Sequence, residues 1–352
     1  MAKRPRGPST SVKITDVAIA AGVAPMTVSR VLNTPERVSD ATAGRVREVI
    51  ERLGYVPNLL AGGLSSRRSR MVAAIVPNLG GPIFSDPVQA FTDVLGAAGY
   101  HVMLGLSGYA PGAEEALLRA VLTRRPDGVL LTGATHSAAV RRLLQDARVP
   151  VVEVWDVTDE PIDILVGFDH VGLGAAVVDF FADAGHTSFA LLAPDIPRAN
   201  LRRQGFLRRV AERGHTLVVE RRLPAPSTII GGRLALRDIA PLLGPRTALF
   251  AASDLTAFGI IVEARALGIA IPDRVAVCGF GDYEVSRGSE PPFTTVGIGG
   301  PAMGRVAAEN LLARMSGAMP SSSPGAMPSS SPGATPPQRT LVPFEIIARA
   351  TT

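Results

Sequence analysis

Apolar residues near the start of the chain recur at the spacing of short amphipathic helices. Four of them stand at i, i+3, i+4 and i+7 and share one face of a first helix: Ile14, Val17, Ala18 and Ala21. Gly22 ends this helix, and Pro25 suits the first turn of a second one, where its missing N–H costs nothing. A third helix follows Ser39, a good N-cap residue. The inward-facing residues of the second and third helices are Val28, Val31, Leu32, Val46, Val49, Ile50 and Leu53.

From residue 71 onward, continuous apolar runs alternate with amphipathic segments. The predicted strands are 71–77, 100–106, 128–132, 164–168, 189–193, 248–252 and 274–279. Helical segments between them include 88–98, 116–124, 199–213 and 256–267. Unbroken apolar strands between helices are typical of parallel sheets that are covered on both faces. About seven strand–helix units are more than one lobe usually holds, so we expect two lobes with a ligand cleft between them.

Residues 317–332 contain the sequence GAMPSSSP twice in tandem. Repeated Pro and Ser do not build a core, so we predict a surface loop over 317–338. An apolar, strand-like pattern resumes over 340–349 and predicts a last strand.

The net charge of +5 is concentrated at one end of the chain. Residues 1–70 hold twelve Lys and Arg against five Asp and Glu, so the remainder carries −2. This asymmetry favours a polyanion as the partner of the N-terminal part, and we expect residues 1–11 to form a disordered basic arm. A single cysteine, Cys278, excludes an internal disulfide framework. We find no secretory signal or membrane span, so a cytoplasmic location is expected.

Two helices joined by a glycine-containing turn can place the second helix in the major groove of DNA. The candidates for contacts with base edges are Pro25, Met26 and Arg30. Arg30 can donate two hydrogen bonds to guanine, whereas the other two offer only apolar contact. The candidates for phosphate contacts have short polar side chains: Thr15, Thr27, Ser29 and Asn33. The alternative is an ordinary helical hairpin in which Arg30 is simply solvated.

Residues 12–33, VKITDVAIAAGVAPMTVSRVLN, closely resemble the DNA-binding signature of the lactose-repressor (LacI) family. The resemblance covers nearly the whole chain outside the basic arm and the repeat. Its further motifs are VS at 38–39, LGYVPN at 53–58, Ala61 and Leu64, GY at 99–100, DG at 127–128, VP at 149–150, GF at 205–206, SD at 253–254, GF at 279–280 and LLAR at 311–314.

The resemblance implies an N-terminal all-α helix-turn-helix domain followed by an α/β two-lobed periplasmic-binding-protein-like domain with parallel sheets. The implied segments are a DNA-binding domain over 12–57, a hinge helix or linker over 58–68, and an effector-binding and dimerisation domain over 69–352. Within the last of these, the N-lobe comprises 69–168 and 297–316, and the C-lobe comprises 169–296 and 339–352. The implied partners are a palindromic double-stranded operator, a second copy of the chain and a small effector. The resemblance implies no cofactor, metal or enzymatic activity, and it places the protein at the nucleoid.

Several stretches are similar to the branch of the family that regulates gluconate utilisation, above all DILVGFD at 163–169. That similarity implies a repressor of sugar-acid utilisation genes. Carried over position by position, it implies effector contacts at Phe84, Tyr109, His136, Asp156, Asp169, Arg202 and Asp254. Arg202 is the one cleft cation that the family motif supplies, and its guanidinium suits a carboxylate or paired hydroxyls. Alternatively, Phe84 is a core residue and His136 caps the following helix.

This sequence also departs from the family at positions that bear on both ligands. Ser253 stands where Asn often precedes the Asp, and Gly281 replaces an Asp, so the effector can differ from those of better-known members. In the hinge, the resemblance implies that Asn58 contacts DNA and that Leu64 wedges into the minor groove, rather than being an ordinary linker leucine. Glycines at 62 and 63, where relatives commonly carry Arg and Ser, weaken a hinge helix.

Two other functions occur on such folds. An enzyme would need a catalytic motif, but the GLG at 172–174 fails the dinucleotide-binding pattern because Val177 takes the third glycine's place. Cys278 lies in an apolar strand and is expected to be buried rather than reactive. A sugar-binding transport protein would need a signal peptide and no helix-turn-helix. The sequence therefore favours an effector-controlled regulator, and a dimer, because no leucine heptad follows the last strand.

Overall fold

In the computed structural model of the chain, residues 12–56, 68–317 and 337–352 are described. The chain divides into two compact units, residues 1–69 and 70–352. The predictions for the basic arm, for Asn58 and Leu64 in the hinge, and for the GAMPSSSP repeat lie outside the described residues.

The first unit is built from three helices, α1 (Ile14–Ala21), α2 (Pro25–Asn33) and α3 (Asp40–Leu53). Gly22 ends α1 in the left-handed region at φ 65°, and Pro25 occupies the first turn of α2, both as predicted. Ser39 stands at the N-cap of α3, but its hydroxyl donates to Thr42 instead of capping a backbone N–H. The three apolar faces meet in a small core of Val17, Ala18, Ala21, Val28, Val31, Ala43, Val46 and Val49.

The second unit contains two six-stranded sheets. The first sheet has the order β11-β5-β4-β3-β1-β2 and is parallel throughout. Its strands are β1 (Met71–Val76), β2 (His101–Leu106), β3 (Gly128–Thr132), β4 (Val151–Trp155), β5 (Ile164–Gly167) and β11 (Gln338–Leu341). The helices of this lobe are α4 (Pro82–Ala97), α5 (Ala113–Leu122), α6 (Ala138–Ala147) and α12 (Gly300–Ser316).

The second sheet has the order β12-β10-β9-β8-β6-β7, and β12 alone pairs antiparallel. Its strands are β6 (Ser188–Pro194), β7 (Thr216–Leu223), β8 (Thr247–Ala251), β9 (Val275–Phe280), β10 (Thr294–Gly297) and β12 (Glu345–Ile347). The helices are α7 (His170–Asp183), α8 (Pro197–Glu212), α9 (Ile229–Ile239), α10 (Asp254–Ala266) and α11 (Glu284–Gly288). Cys278 is buried in β9, as predicted.

The prediction of a two-lobed α/β domain with parallel sheets is confirmed. Three strands were missed: β4, β7 and β10. The assignment of residues 339–352 wholly to the C-lobe is wrong, because β11 pairs with β5 in the first sheet and only β12 joins the second. The chain therefore passes between the lobes three times, after β5, after β10 and after β11.

Two glycines allow α7 and α8 to pack unusually closely. A Cβ at Gly174 would collide with the carbonyl oxygen of Arg202, and one at Gly205 would collide with that of Val171. The first turns of α7 are thereby held against the middle of α8, which brings His170 beside Arg202. No single helix among the described residues is long and apolar enough to cross a membrane; α1 and α2 meet that test only as a bent pair.

Candidate DNA-binding and effector sites

Helices α1 and α2 form the helix-turn-helix that the sequence predicts. The chain bends by 103° between them, within the range of about 90–120° that is typical of the DNA-binding motif. Pro25, Met26, Arg30 and Thr15 are exposed, and Met26 is 62 % exposed although it is apolar. The remaining candidates are Thr27 and Ser29, which are half-buried, and Asn33, the last residue of α2. A methionine that helix packing does not use is available for contact with a partner.

A cavity of about 70 Å³ lies between the two lobes of the second unit. It is formed at the carboxyl ends of strands from both sheets, where open parallel sheets usually bind ligands. Its lining includes Asn78, Phe84, Tyr109, Trp155, Arg198, Arg202, Ser227, Ser253, Phe280 and Tyr283. Two of the described lining residues are arginines, and none is an Asp or Glu.

Both arginines project from α8, four residues apart, and therefore lie on the same helix face. The Arg202 guanidinium carbon lies 3.9 Å from the ring centroid of Phe280. The Arg198 guanidinium carbon lies 5.5 Å from that of Phe84. Aromatic faces thus support both cations. Arg198 was missed in the sequence analysis, although its i−4 spacing from Arg202 was a usable signal.

A series of hydrogen bonds through His170 and Asp156 holds the Arg202 guanidinium in place. Arg202 Nη1 donates to His170 Nδ1 at 3.1 Å, and His170 Nε2 donates to Asp156 Oδ1 at 3.1 Å. The other Asp156 oxygen accepts from the backbone N–H of Ala134 at 3.1 Å. Because Arg202 can only donate, the imidazole carries its proton on Nε2. Asp156, a predicted effector contact, is not among the residues that line the cavity; it bonds His170, which in turn accepts from Arg202.

The pKa values of this chain of groups agree with a neutral imidazole. Burial, and secondarily the charge of Arg202, lower the pKa of His170 to about 4, against the opposing effect of Asp156. Burial and the neighbouring Arg198 lower the pKa of Arg202 to about 9. Burial acts to raise the pKa of Asp156, but His170 and Arg198 outweigh it and hold that pKa below its ordinary value.

Trp155 ends β4 with an unusual backbone, at φ 84°. This left-handed conformation costs a residue other than glycine on the order of 1–3 kcal/mol. The bend that follows presses the carbonyl oxygen of Asp156 against Gly167 on β5, where a Cβ would collide with it. The Trp155 and Phe84 rings lie 5.3 Å apart, tilted by 51°. Trp155 and Phe84 therefore form a packed pair of aromatic rings in the cavity lining.

Two tyrosines line the cavity with their polar groups engaged by the protein. The Tyr109 hydroxyl accepts from Asn78 Nδ2 at 2.9 Å. Burial raises the pKa of Tyr109, and Arg198 acts against that shift. The backbone N–H of Tyr283 donates to Asp254 at 2.7 Å.

Asp254 itself is wholly buried and lies outside the cavity lining. Its second carboxylate oxygen accepts from the Thr295 hydroxyl at 2.6 Å. Burial raises the pKa of Asp254 to about 6, although both hydrogen bonds act to lower it. Asp254 thus bonds the backbone of Tyr283 and is not among the residues that line the cavity, where the sequence analysis expected an effector contact.

The remaining two predicted effector residues also lie outside the cavity lining. His136 Nδ1 bonds Glu114 at 2.9 Å, and Nε2 bonds the Gly133 carbonyl at 3.0 Å. Burial acts to lower the pKa of His136, but Glu114 and Glu153 outweigh it and raise that pKa to about 9. Asp169 is exposed and caps α7 by accepting from the N–H of Gly172 at 2.9 Å. Both side chains are engaged in local structure.

Comparisons with known proteins agree with both units. A model described as bacterial regulatory proteins, lacI family, matches residues 13–58, and one described as a periplasmic binding protein-like domain matches 178–352. The HTH-type transcriptional regulator GntR of Escherichia coli (strain K12) is 32% identical over 306 residues, covering 86% of this chain and 91% of that protein. The chain belongs to the LacI family of bacterial regulators.

Further similarities extend over both units of this LacI-family chain. GntR of Pseudomonas aeruginosa is 33% identical over 307 residues, covering 86% of this chain and 89% of that protein. A LacI-family regulator from Silicibacter pomeroyi matches with a TM-score of 0.84 at 31% identity, over 97% of this chain and 99% of that chain. The lac repressor dimer bound to operator and the anti-inducer ONPF shares the fold, with a TM-score of 0.78 at 23% identity over 97% and 99% of the two chains. The chain is a DNA-binding transcriptional regulator.

Proposed function

We propose that this LacI-family regulator is a repressor of sugar-acid utilisation genes, released from its operator when an anionic sugar binds between the lobes. The observation that carries the proposal is the charge of the cavity: its described lining holds Arg198 and Arg202 and no carboxylate. Arg202 is buried and Arg198 is half-buried, so this pair of cations favours a negative ligand, and a carboxylate fits the guanidinium fork. The GntR relatives at 32% and 33% identity support an effector of the sugar-acid class.

The same proposal assigns the DNA contacts. Pro25, Met26 and Arg30 face base edges, while the short polar residues Thr15, Thr27, Ser29 and Asn33 bind phosphates. Asn58 and Leu64, outside the described residues, make the hinge contacts. A homodimer presents two such domains to a palindromic operator. The lac repressor, which shares the fold, is likewise a dimer in its operator-bound structure. The protein acts by binding rather than by catalysis, as a transcriptional regulator like its relatives, in the cytoplasm at the nucleoid.

The two lobes are joined by three crossings of the chain, which allow a ligand between them to control DNA binding through their relative arrangement. A ligand that touches both lobes stabilises one relative arrangement of them and shifts the population toward it. Phe84 and Tyr109 line the cavity from the first lobe, and Arg198 and Arg202 line it from the second. An anion held by the arginines and covered by Phe84 is therefore in contact with both lobes.

The test compares gluconate with glucitol, which carries a CH2OH in place of the carboxylate. Full-length protein is bound to a labelled DNA fragment from the region upstream of its own gene, and release is followed by fluorescence anisotropy. We expect gluconate, and not glucitol, to release the DNA. Release by glucitol and gluconate alike, or by neither, would contradict the proposed effector class.

A matched pair of variants on α8 tests the role of the arginines. Arg198→Gln removes a cavity cation and should raise the gluconate concentration needed for release by about tenfold or more. Arg203→Gln is the control, because Arg203 pairs with Glu220 and does not line the cavity. Equal responses of the two variants would show that Arg198 does not bind the effector.

A further inference from the structure

The indole N–H of Trp155 is a buried hydrogen-bond donor that no described residue of the chain satisfies. The side chain is 2 % exposed, and its Nε1 atom has no hydrogen-bond partner among the described residues. Nearly all buried donors in folded proteins are paired, because an unpaired one loses its bonds to water without replacement. The same residue lines the cavity between the lobes.

A second donor of the same cavity shares this property. Arg202 Nε is also buried without a partner, although Nη1 of the same guanidinium is bonded to His170. Two residues that line the cavity thus each carry a buried donor without a partner among the described residues, one on β4 in the first lobe and one on α8 in the second. A ligand rich in oxygen acceptors would satisfy both.

The position of the indole is imposed by the fold rather than by chance. The left-handed backbone of Trp155 and the close approach of the next residue to Gly167 fix where the side chain leaves β4. Contact with the Phe84 ring restricts its rotation. Strained backbone of this kind concentrates at ligand sites, where it holds a group ready for binding.

We propose that Trp155 determines the specificity of the effector site by donating its indole N–H to an oxygen of the bound sugar acid. The proposal rests on the function proposed above. The arginines of α8 hold the anionic group from the second lobe, and Trp155 holds an oxygen from the first. A site with such a donor rejects analogues that lack the matching acceptor, because the donor is then left unpaired.

Trp155 is the only tryptophan in the sequence, which allows an atom-level test. Replacing all tryptophan with 3-benzothienylalanine during expression exchanges one N–H for sulfur at this single position and keeps the shape of the ring. Gluconate binding to the full-length protein is measured by titration calorimetry, beside the unsubstituted protein and Trp155→Phe. We expect about a tenfold or greater loss of affinity in both altered proteins, with operator affinity and melting temperature of the benzothienyl protein unchanged.

The outcomes separate this proposal from the function on which it rests. If the unsubstituted protein binds gluconate and the benzothienyl protein binds it equally well, the hydrogen bond is refuted while the effector class stands. If only Trp155→Phe loses affinity, Trp155 contributes shape and not its N–H, which also refutes the proposal. If the unsubstituted protein shows neither binding nor a change in tryptophan fluorescence with gluconate, the effector class and the Trp155 proposal both fall.

Discussion

Replacing His170 by glutamine tests whether the imidazole behind Arg202 is neutral. Folding lowers the pKa of His170 from 6.5 to about 4. Each pKa unit corresponds to about 1.36 kcal/mol, so the shift is worth about 3 kcal/mol of unfolding free energy. Because the folded pKa is the lower one, this contribution is fully present above pH 6.5 and is lost as the pH falls from 6.5 toward 4.

Glutamine keeps the hydrogen-bonding roles and removes the titration. Its amide oxygen can accept from Arg202, and its amide N–H can donate to Asp156. His170→Gln should therefore keep most of the unfolding free energy of the parent protein at neutral pH. On acidification, its unfolding free energy should fall by about 3 kcal/mol less than that of the parent. The comparison between the two proteins removes the effect of all other titrating groups.

The assay is denaturant unfolding of the full-length protein at a series of pH values between 6.5 and 4. Fluorescence of Trp155, the single tryptophan, reports on the second unit alone. His101→Gln serves as the matched control, because His101 is exposed, and its profile should follow that of the parent protein. Parallel profiles for His170→Gln and the parent would refute the neutral imidazole and the hydrogen-bond chain built on it.

Two predictions concern DNA. Arg30→Ala should lower operator affinity by about 1–3 kcal/mol and relax the preference at one base pair, whereas Thr27→Ala should weaken binding to all sequences alike. Competition anisotropy with single-base operator variants measures both, and an unchanged preference in Arg30→Ala would make Arg30 a phosphate contact. If residues 58–68 form the hinge helix that the family resemblance implies, Gly63→Ala should tighten operator binding by up to about 1 kcal/mol and weaken the release by effector, because glycine in a helix loses more backbone entropy than alanine. Anisotropy titration on operator and scrambled DNA measures it, and unchanged or weaker affinity would refute the entropic reason.

Sequence patterns predicted the strands whose apolar run is unbroken and missed those in which polar residues interrupt that run. Strand β1 is almost wholly buried, so its apolar run was plain. Strand β7 lies at the edge of its sheet, and its polar residues at 220–222 obscure the period of two. Strand β4 is buried throughout but contains Glu153, whose carboxylate accepts from the Ile162 N–H and interrupts the apolar run. Such partners cannot be read from the strand itself.

The candidate effector site shows the same limit. Phe84, Tyr109 and Arg202 were expected at the cavity and line it. Asp156 follows β4 and Asp254 begins α10, both at the edge of the cleft. Each carboxylate nevertheless accepts a hydrogen bond from a residue distant in the sequence, Asp156 from His170 and Asp254 from Thr295. An aspartate near the end of a strand can accept hydrogen bonds either from a ligand or from other residues of the protein. Which of the two it does depends on tertiary contacts that sequence spacing does not reveal.

The order in which the chain visits the lobes has a consequence for synthesis in the cell. Strands β11 and β12 are edge strands, one in each sheet, and both come from residues 338–347. A polypeptide released by the ribosome before residue 338 would leave β5 and β10 with unpaired edges at the same time. Open strand edges invite pairing with other chains and aggregation. The first sheet gains its last strand only when the chain has been made through residue 341, and the second only through residue 347, so a product that ends before residue 338 has an open edge in both sheets.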